Sequence, residues 1–306
     1  MIDDSLSLRW RRVRLGGRAV SYGRAGSGPP LLFLHGWGLA GRSYRRAIER
    51  LVAQGLDVIA PSLPGFGGSA DLPRGQLSLH GYGQWLWRLA DELGVDGPVI
   101  LLGHSFGGGV AIQAAVQRPE RIRLLTLVNS VGGSVWKTDG RRKGGSLADR
   151  PLWDWGLHFP SELNRRTLVP VLRVIASDGA RNAARNPLAF WRVAELARRA
   201  DLRRELETLR DRGVPIVVLW GTEDRILPQA SCDAIAAITG TKPEFVRGRH
   251  SWLITDPDRF AEVMTNVLAV ANAVTDADAD VVGMSDGAAT EVVPPPVAGG
   301  DAEDEG

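Results

Sequence analysis

The chain has 306 residues, 44% of them hydrophobic and 24% charged, an ordinary profile for a soluble globular protein large enough for one α/β domain with an insertion. Its 37 Lys and Arg nearly balance 35 Asp and Glu, for a net charge of +2. The single cysteine, Cys232, excludes an intrachain disulfide and any cysteine-built metal site, and no apolar run reaches transmembrane length.

The first residues, Met1-Ile2-Asp3-Asp4, are acidic with no apolar segment behind them, so a cytoplasmic location is expected. Leu8 to Arg14 and Arg18 to Tyr22 read as two strands joined at Gly16-Gly17. Leu31-Leu32-Phe33-Leu34 is a continuous apolar run, the mark of a strand covered on both faces, and it ends in His35-Gly36-Trp37-Gly38. Arg42 to Gln54 suits a helix with Ile48, Leu51 and Val52 on one side. Asp57 to Ala60 is a short strand before the loop Pro61-Ser62-Leu63-Pro64-Gly65-Phe66-Gly67-Gly68-Ser69. That loop lacks the Gly-Lys-Ser/Thr of a phosphate cradle. Ser78 is placed to cap a helix that runs to Leu93 and closes at Gly94.

Val99-Ile100-Leu101-Leu102 is the next apolar strand; it ends at a glycine, and Ser105 follows within Gly103-His104-Ser105-Phe106-Gly107. A helix to about Gln117 comes at once. Gly-x-Ser-x-Gly between a strand and a helix is the pattern of a sharp turn that pushes one hydroxyl outward. Its glycines let strand and helix approach closely, and the helix N-terminus suits a developing oxyanion. Ile122 to Val128 and Val214 to Trp220 read as strands, Pro228 to Ile238 as a helix, Glu244 to Arg247 as a short strand and Pro257 to Val270 as the last helix. Such alternation predicts an α/β fold: a mostly parallel sheet of roughly eight strands with helices on both faces.

Residues 133–212 interrupt the alternation. They hold no good strand, carry Trp136, Trp153, Trp155 and Trp191, and end in helical segments such as Pro187 to Arg199. They read as a helical insertion over the carboxyl edge of the sheet, its tryptophans divided between its own core and an apolar pocket. The domain division is therefore a core of residues 1–132 and 213–273, an insertion of residues 133–212 and a tail of residues 274–306. The tail has nine acidic residues, no Lys or Arg, and little apolar periodicity, and is expected to be disordered. Without it the chain has 37 basic against 26 acidic residues, or +11. The insertion accounts for 17 basic against 10 acidic. With no aromatic-interleaved basic motif, this excess reads as a solvated arginine-rich surface and not as a nucleic-acid interface.

A serine hydroxyl needs a base. Among His35, His80, His104, His158 and His250, only His250 lies just past the last short strand, which parallel topology brings to the serine's edge of the sheet. His104 is expected to pack beneath the turn, and His35 to have a structural hydrogen-bonding role. The base needs a carboxylate to fix its tautomer. Asp224, in Gly221-Thr222-Glu223-Asp224 after the penultimate strand, is the first choice and Glu223 the fallback. Cys232 reads as a buried apolar filler.

The order Ser105, Asp224, His250 resembles that of the α/β-hydrolase fold superfamily, in its lid-bearing serine hydrolase branch. The resemblance spans nearly all of residues 8–273 and rests on His35-Gly36-Trp37-Gly38, Pro64-Gly65-Phe66-Gly67-Gly68-Ser69, Gly103-His104-Ser105-Phe106-Gly107-Gly108, Gly221-Thr222-Glu223-Asp224 and the His250 loop. It implies that the insertion is a cap. It also implies that the backbone N–H groups of Trp37 and Phe106 form the oxyanion hole. Two departures stand out. Ser62 occupies a position where relatives often carry Asp. The nucleophile is Ser, where epoxide hydrolases and haloalkane dehalogenases use Asp, which sets those activities aside. The expected function is hydrolysis of a carboxylic ester, or a related acyl bond, of a small to medium apolar substrate, without metal or organic cofactor. The alternatives are a carbon–carbon bond hydrolase of a vinylogous diketone with the same triad, and a ligand-binding sensor without turnover.

Overall fold

The computed structural model describes residues 7–136, 145–149 and 178–286, with side chains through Asn272. The expectations for Trp153, Trp155 and His158 and for the tail beyond Asp286 lie outside the described residues.

Strands β1 (Arg9–Leu15) and β2 (Arg18–Ala25) form the expected hairpin across Gly16-Gly17, both glycines at positive φ. The remaining strands are β3 (Pro30–Leu34), β4 (Asp57–Pro61), β5 (Val99–His104), β6 (Ile122–Val128), β7 (Ile216–Gly221) and β8 (Glu244–Val246). They make one eight-stranded sheet in the order β1-β2-β4-β3-β5-β6-β7-β8. Only the β1–β2 and β2–β4 pairs are antiparallel. This matches the α/β architecture read from the sequence.

Alternate side chains on the central strands feed two cores, as the period of two in a strand requires. Leu31, Phe33, Ile100, Leu102, Leu124 and Leu219 pack under α1 (Arg45–Ala53) and the C-terminal helices. Leu32, Leu34, Leu101, Leu125, Leu127 and Val218 pack under α2 (Leu79–Glu92) and α3 (Phe106–Gln117). Ser78 caps α2 as expected, its side chain accepting from the Gly81 N–H, and Gly94 follows at positive φ.

Within the insertion, residues 178–185 are helical, followed by α4 (Pro187–Arg198) and α5 (Arg203–Asp211). α4 lies over the loops that leave β3 and β4: a Cβ on Gly38 or Gly65 would touch Phe190 or Ala189. α5 instead sends Leu206 and Leu209 into the core beside α3. Trp136 packs against that core, whereas Trp191 is 58% exposed. It is therefore not part of the insertion's core, and it faces away from the buried Val193.

After β7 come α6 (Gln229–Thr239), α7 (Trp252–Thr255) and α8 (Pro257–Asp286). α8 corrects one boundary. The sequence predicts a helix ending near Val270 and a disordered tail from Val274, yet the helix runs on to Asp286. Once residues 257–271 are anchored by Phe260, Val263, Met264 and Val267, each further residue adds one hydrogen bond without a new nucleation cost. Among the described residues, no helix is long and apolar enough to cross a membrane.

A close backbone approach links β5 to α3 at the foot of the Ser105 turn. A Cβ on Gly103 would stand 2.4 Å from the Gly107 carbonyl oxygen and 2.5 Å from the Gly108 Cα. Both are backbone atoms and cannot swing aside. Gly103→Ala is expected to cost about 3 kcal/mol or more by overpacking. Urea unfolding at neutral pH checks this, and an unchanged midpoint would contradict it.

Candidate active site

Ser105 stands between β5 and α3 with φ 56 and ψ −118, a left-handed conformation strained for a residue with a Cβ. The strain is held from three sides. Its N–H donates to the Val128 carbonyl at 3.0 Å, and its carbonyl accepts from Gly108 N at 3.0 Å and Val131 N at 3.2 Å. Gly107 allows the turn to press on β3, since a Cβ there would stand 2.4 Å from the Leu34 carbonyl oxygen. The result is a half-buried serine at the carboxyl edge of the sheet.

His250 follows β8 by a short loop and is buried. Its Nδ1–H donates to Asp224 Oδ2 at 2.8 Å. Asp224 has a side chain only 1% exposed, and Oδ1 accepts from Ile226 N at 2.8 Å and Leu227 N at 2.9 Å. These bonds aim the other oxygen at the imidazole. Glu223, the fallback, is half exposed and points toward Arg247 and Arg249 on the surface.

His104 joins the serine to the histidine. Its Nε2–H donates to the His250 carbonyl at 2.9 Å, and its ring lies 4.9 Å from that of His250, centroid to centroid. Its Nδ1 accepts from the Tyr44 hydroxyl at 2.7 Å, and that hydroxyl accepts from Gly36 N at 3.1 Å. These partners select a single neutral tautomer. Burial, then the neighbouring His250, pushes the His104 pKa well below the usual histidine value. His35 is likewise structural: Nδ1–H donates to the Gly36 carbonyl and Nε2 accepts from Leu63 N, both at 2.8 Å. Burial lowers its pKa to about 4.

Trp37 and Phe106 follow the adjacent parallel strands β3 and β5, so both backbones lie at the serine's edge of the sheet. Phe106 is the first residue of α3, and its ring meets that of Tyr82 edge-on at 5.3 Å. The Trp37 indole N–H donates to the Phe190 carbonyl at 2.7 Å.

Sequence reasoning missed Asn129. This fully buried residue ends β6 at φ 43. Its Nδ2–H donates to Asp224 Oδ2 at 2.6 Å, and its Oδ1 accepts from Trp252 Nε1 at 2.9 Å and Gly221 N at 3.3 Å. The signal for it was a polar side chain at the carboxyl end of an otherwise apolar strand. Among the described residues no cluster of His, Cys, Asp and Glu is built to hold a metal. Cys232 is buried, and its thiol is pushed up to about 12 by desolvation.

A hydroxyl on a strained turn, with a buried and oriented imidazole–carboxylate pair next to it, can carry out nucleophilic substitution. The chain matches the Alpha/beta hydrolase family over residues 31–263. It is 30% identical over 282 residues to an uncharacterized protein of Mycobacterium tuberculosis, covering 84% of this chain and 80% of the relative. It is 29% identical over 295 residues to a 2-hydroxymuconate semialdehyde hydrolase of Pseudomonas putida, covering 86% and 95%. A bromoperoxidase from Bacillus anthracis shares its fold, with a TM-score of 0.70 at 20% identity, over 85% of this chain and all of that one.

The two lowered histidines set a pH dependence of stability. In the folded chain His35 and His104 stay neutral, while the unfolded chain protonates both near the ordinary histidine value of about 6.5. Below that value the unfolded state binds more protons, so stability falls as pH drops from about 6.5 toward 4, by up to about 1.4 kcal/mol per pH unit for each ring. Urea midpoints across this range measure the fall. NMR separates it from carboxylate effects: the His35 ring signals are expected to hold constant down to about pH 5 and titrate below it. A titration of His35 near pH 6.5 would refute the assignment.

Proposed function

Because the chain belongs to the Alpha/beta hydrolase family, we propose that it is a serine hydrolase cleaving a carboxylic ester, or a related acyl bond, of a small to medium apolar substrate. The observation that carries this reading is the buried Asp224–His250 hydrogen bond, set through His104 beside the strained Ser105. His250 Nδ1 is committed to Asp224, so Nε2 is the base. It takes the proton as Ser105 Oγ attacks the carbonyl carbon. The N–H groups of Trp37 and Phe106 receive the oxyanion. The tetrahedral intermediate collapses to an acyl-enzyme and expels the alcohol, which takes the proton from His250. Water, deprotonated by His250, then attacks the acyl carbon and releases the acid and Ser105. Asp224 holds the ring and stabilises the imidazolium throughout.

The likeness to 2-hydroxymuconate semialdehyde hydrolase favours one second reading, carbon–carbon bond hydrolysis of a vinylogous diketone by the same triad. A panel of p-nitrophenyl esters assayed beside such a diketone separates the two by kcat/KM.

A fluorophosphonate is expected to label Ser105 alone, located by peptide mass spectrometry. Ser105→Ala is expected to abolish labelling and lower kcat on the order of a thousandfold or more. Labelling elsewhere, or none on folded protein, overturns the proposal. Asn129→Leu keeps the branched outline of the side chain, though with bulkier methyl groups, and removes the amide that steadies Asp224. It is expected to lower kcat on the order of tenfold to a hundredfold, as small misplacements of a catalytic group do. Unchanged kcat in this variant would show that Asp224 needs no such support.

A further inference from the structure

The loop that leaves β3 makes a tight turn over Gly36-Trp37-Gly38-Leu39. Leu39 N donates to the Gly36 carbonyl at 3.4 Å, and Gly38 takes φ 78 at the third position, which favours glycine. Trp37, whose N–H is the proposed oxyanion donor, occupies the second position. A bond of 3.4 Å closes the turn weakly, so its shape depends on what else grips it.

The grip comes from the insertion. Asn182 projects from the helical residues 178–185 and is 6% exposed. Its Nδ2 donates to the carbonyl of Gly38 at 2.9 Å and to that of Leu39 at 3.2 Å. Its Oδ1 accepts from Gly67 N at 3.1 Å. These partners fix the amide's orientation: two acceptors face the nitrogen and a donor faces the oxygen. The same stretch makes further ties. The Ser43 hydroxyl donates to Asp178 Oδ2 at 2.8 Å and accepts from Ala40 N at 3.2 Å. The Trp37 indole reaches the Phe190 carbonyl, and Arg192 pairs with Asp71 beyond the β4 loop. The insertion thus holds the turn at its carbonyls, its indole and its exit.

We propose that Asn182 is a positioning residue for the oxyanion hole. By holding the Gly38 and Leu39 carbonyls from the insertion side, it sets the plane of the turn that aims the Trp37 N–H. Seating of the insertion and assembly of the hole are then one event, and the site is competent only when residues 178–192 are docked. The inference rests on the proposed serine hydrolase activity.

The test uses the full-length chain, with active sites counted by fluorophosphonate titration so that misfolded protein does not enter kcat. Asn182→Ala removes the amide. Asn182→Asp keeps an acceptor for Gly67 N but sets an oxygen against the two carbonyls. Both are expected to lower kcat on a p-nitrophenyl ester about tenfold to a hundredfold, a partial share of the hundredfold or more that complete loss of one oxyanion donor costs. KM is expected to stay within about twofold, as for an interaction made only in the transition state. Affinity for a boronic acid, whose tetrahedral adduct occupies the same hole, is expected to fall in step with kcat/KM. Thermal melts report folding, and the alanine variant serves if the aspartate variant does not fold. Unchanged kcat, a rise in KM alone, or a kcat loss without loss of boronate affinity overturns the inference while leaving the serine hydrolase reading intact. That reading fails separately, if the wild-type chain shows no turnover that depends on Ser105.

Discussion

The backbone of Ser105 is the constraint on which the rest depends. Holding a β-carbon-bearing residue at positive φ costs on the order of 1–3 kcal/mol, and nothing local repays it. The cost is borne by the contacts around the turn: the bond to the Val128 carbonyl on the next strand, the two donors to the Ser105 carbonyl and the glycine contacts of β5, α3 and β3. Every one of these comes from a central parallel strand or from the segment just after one. The hydroxyl is therefore lifted out at the carboxyl edge of the central strands, where the backbone around it is held by hydrogen bonds and close packing. A serine on a free loop could take the same dihedrals only briefly.

Around this turn the polar groups form a closed network. Tyr44, His104, the His250 carbonyl, Asp224, Asn129 and the Trp252 indole are linked by hydrogen bonds of 2.6–2.9 Å. Buried polar groups are costly when unmatched and rigid when matched. Here each titratable member sees its partners from fixed directions. His104 is kept neutral by burial and serves as a post under His250, its Nε2–H donating to the His250 carbonyl. The two ring centroids sit 4.9 Å apart, and the histidines divide the work by environment, not by sequence context.

Much of this was legible because the sheet is buried on both faces. Val99–Leu102 is a continuous apolar run within the observed strand Val99–His104, and Ile122–Val128, apolar except for Arg123 and Thr126, coincides with its strand. The direction of a parallel strand then fixes which end carries polar side chains, and this is how Asp224 and His250 could be placed without contacts. Other features left no such trace. Asn182 meets Gly38 144 residues away in the chain, and a single polar residue on an amphipathic helix reads as surface. Trp191 read as core or pocket because tryptophan usually is, but on its helix it faces away from the buried Val193 and is more than half exposed. The helix past Val274 went unread because Asp-Ala alternation offers no apolar stripe, while helical propagation needs none.

The seam between the insertion and the sheet loops differs in kind from the core beneath it. Helix α5 joins the core through Leu206 and Leu209, as any packed helix does. Residues 178–192 add polar contacts to the apolar ones of Ala189 and Phe190: Asp178 with Ser43, Asn182 with Gly38, Leu39 and Gly67, the Phe190 carbonyl with the Trp37 indole, Arg192 with Asp71. Apolar contact is non-directional and tolerates sliding. Hydrogen bonds specify register, and their net contribution is small because water replaces them on separation. The polar contacts therefore fix where the insertion sits, which the apolar contacts alone would not define. With the turn that carries the proposed oxyanion donor held from across that seam, accuracy of seating matters more than strength of adhesion, and the directional contacts along it meet that requirement.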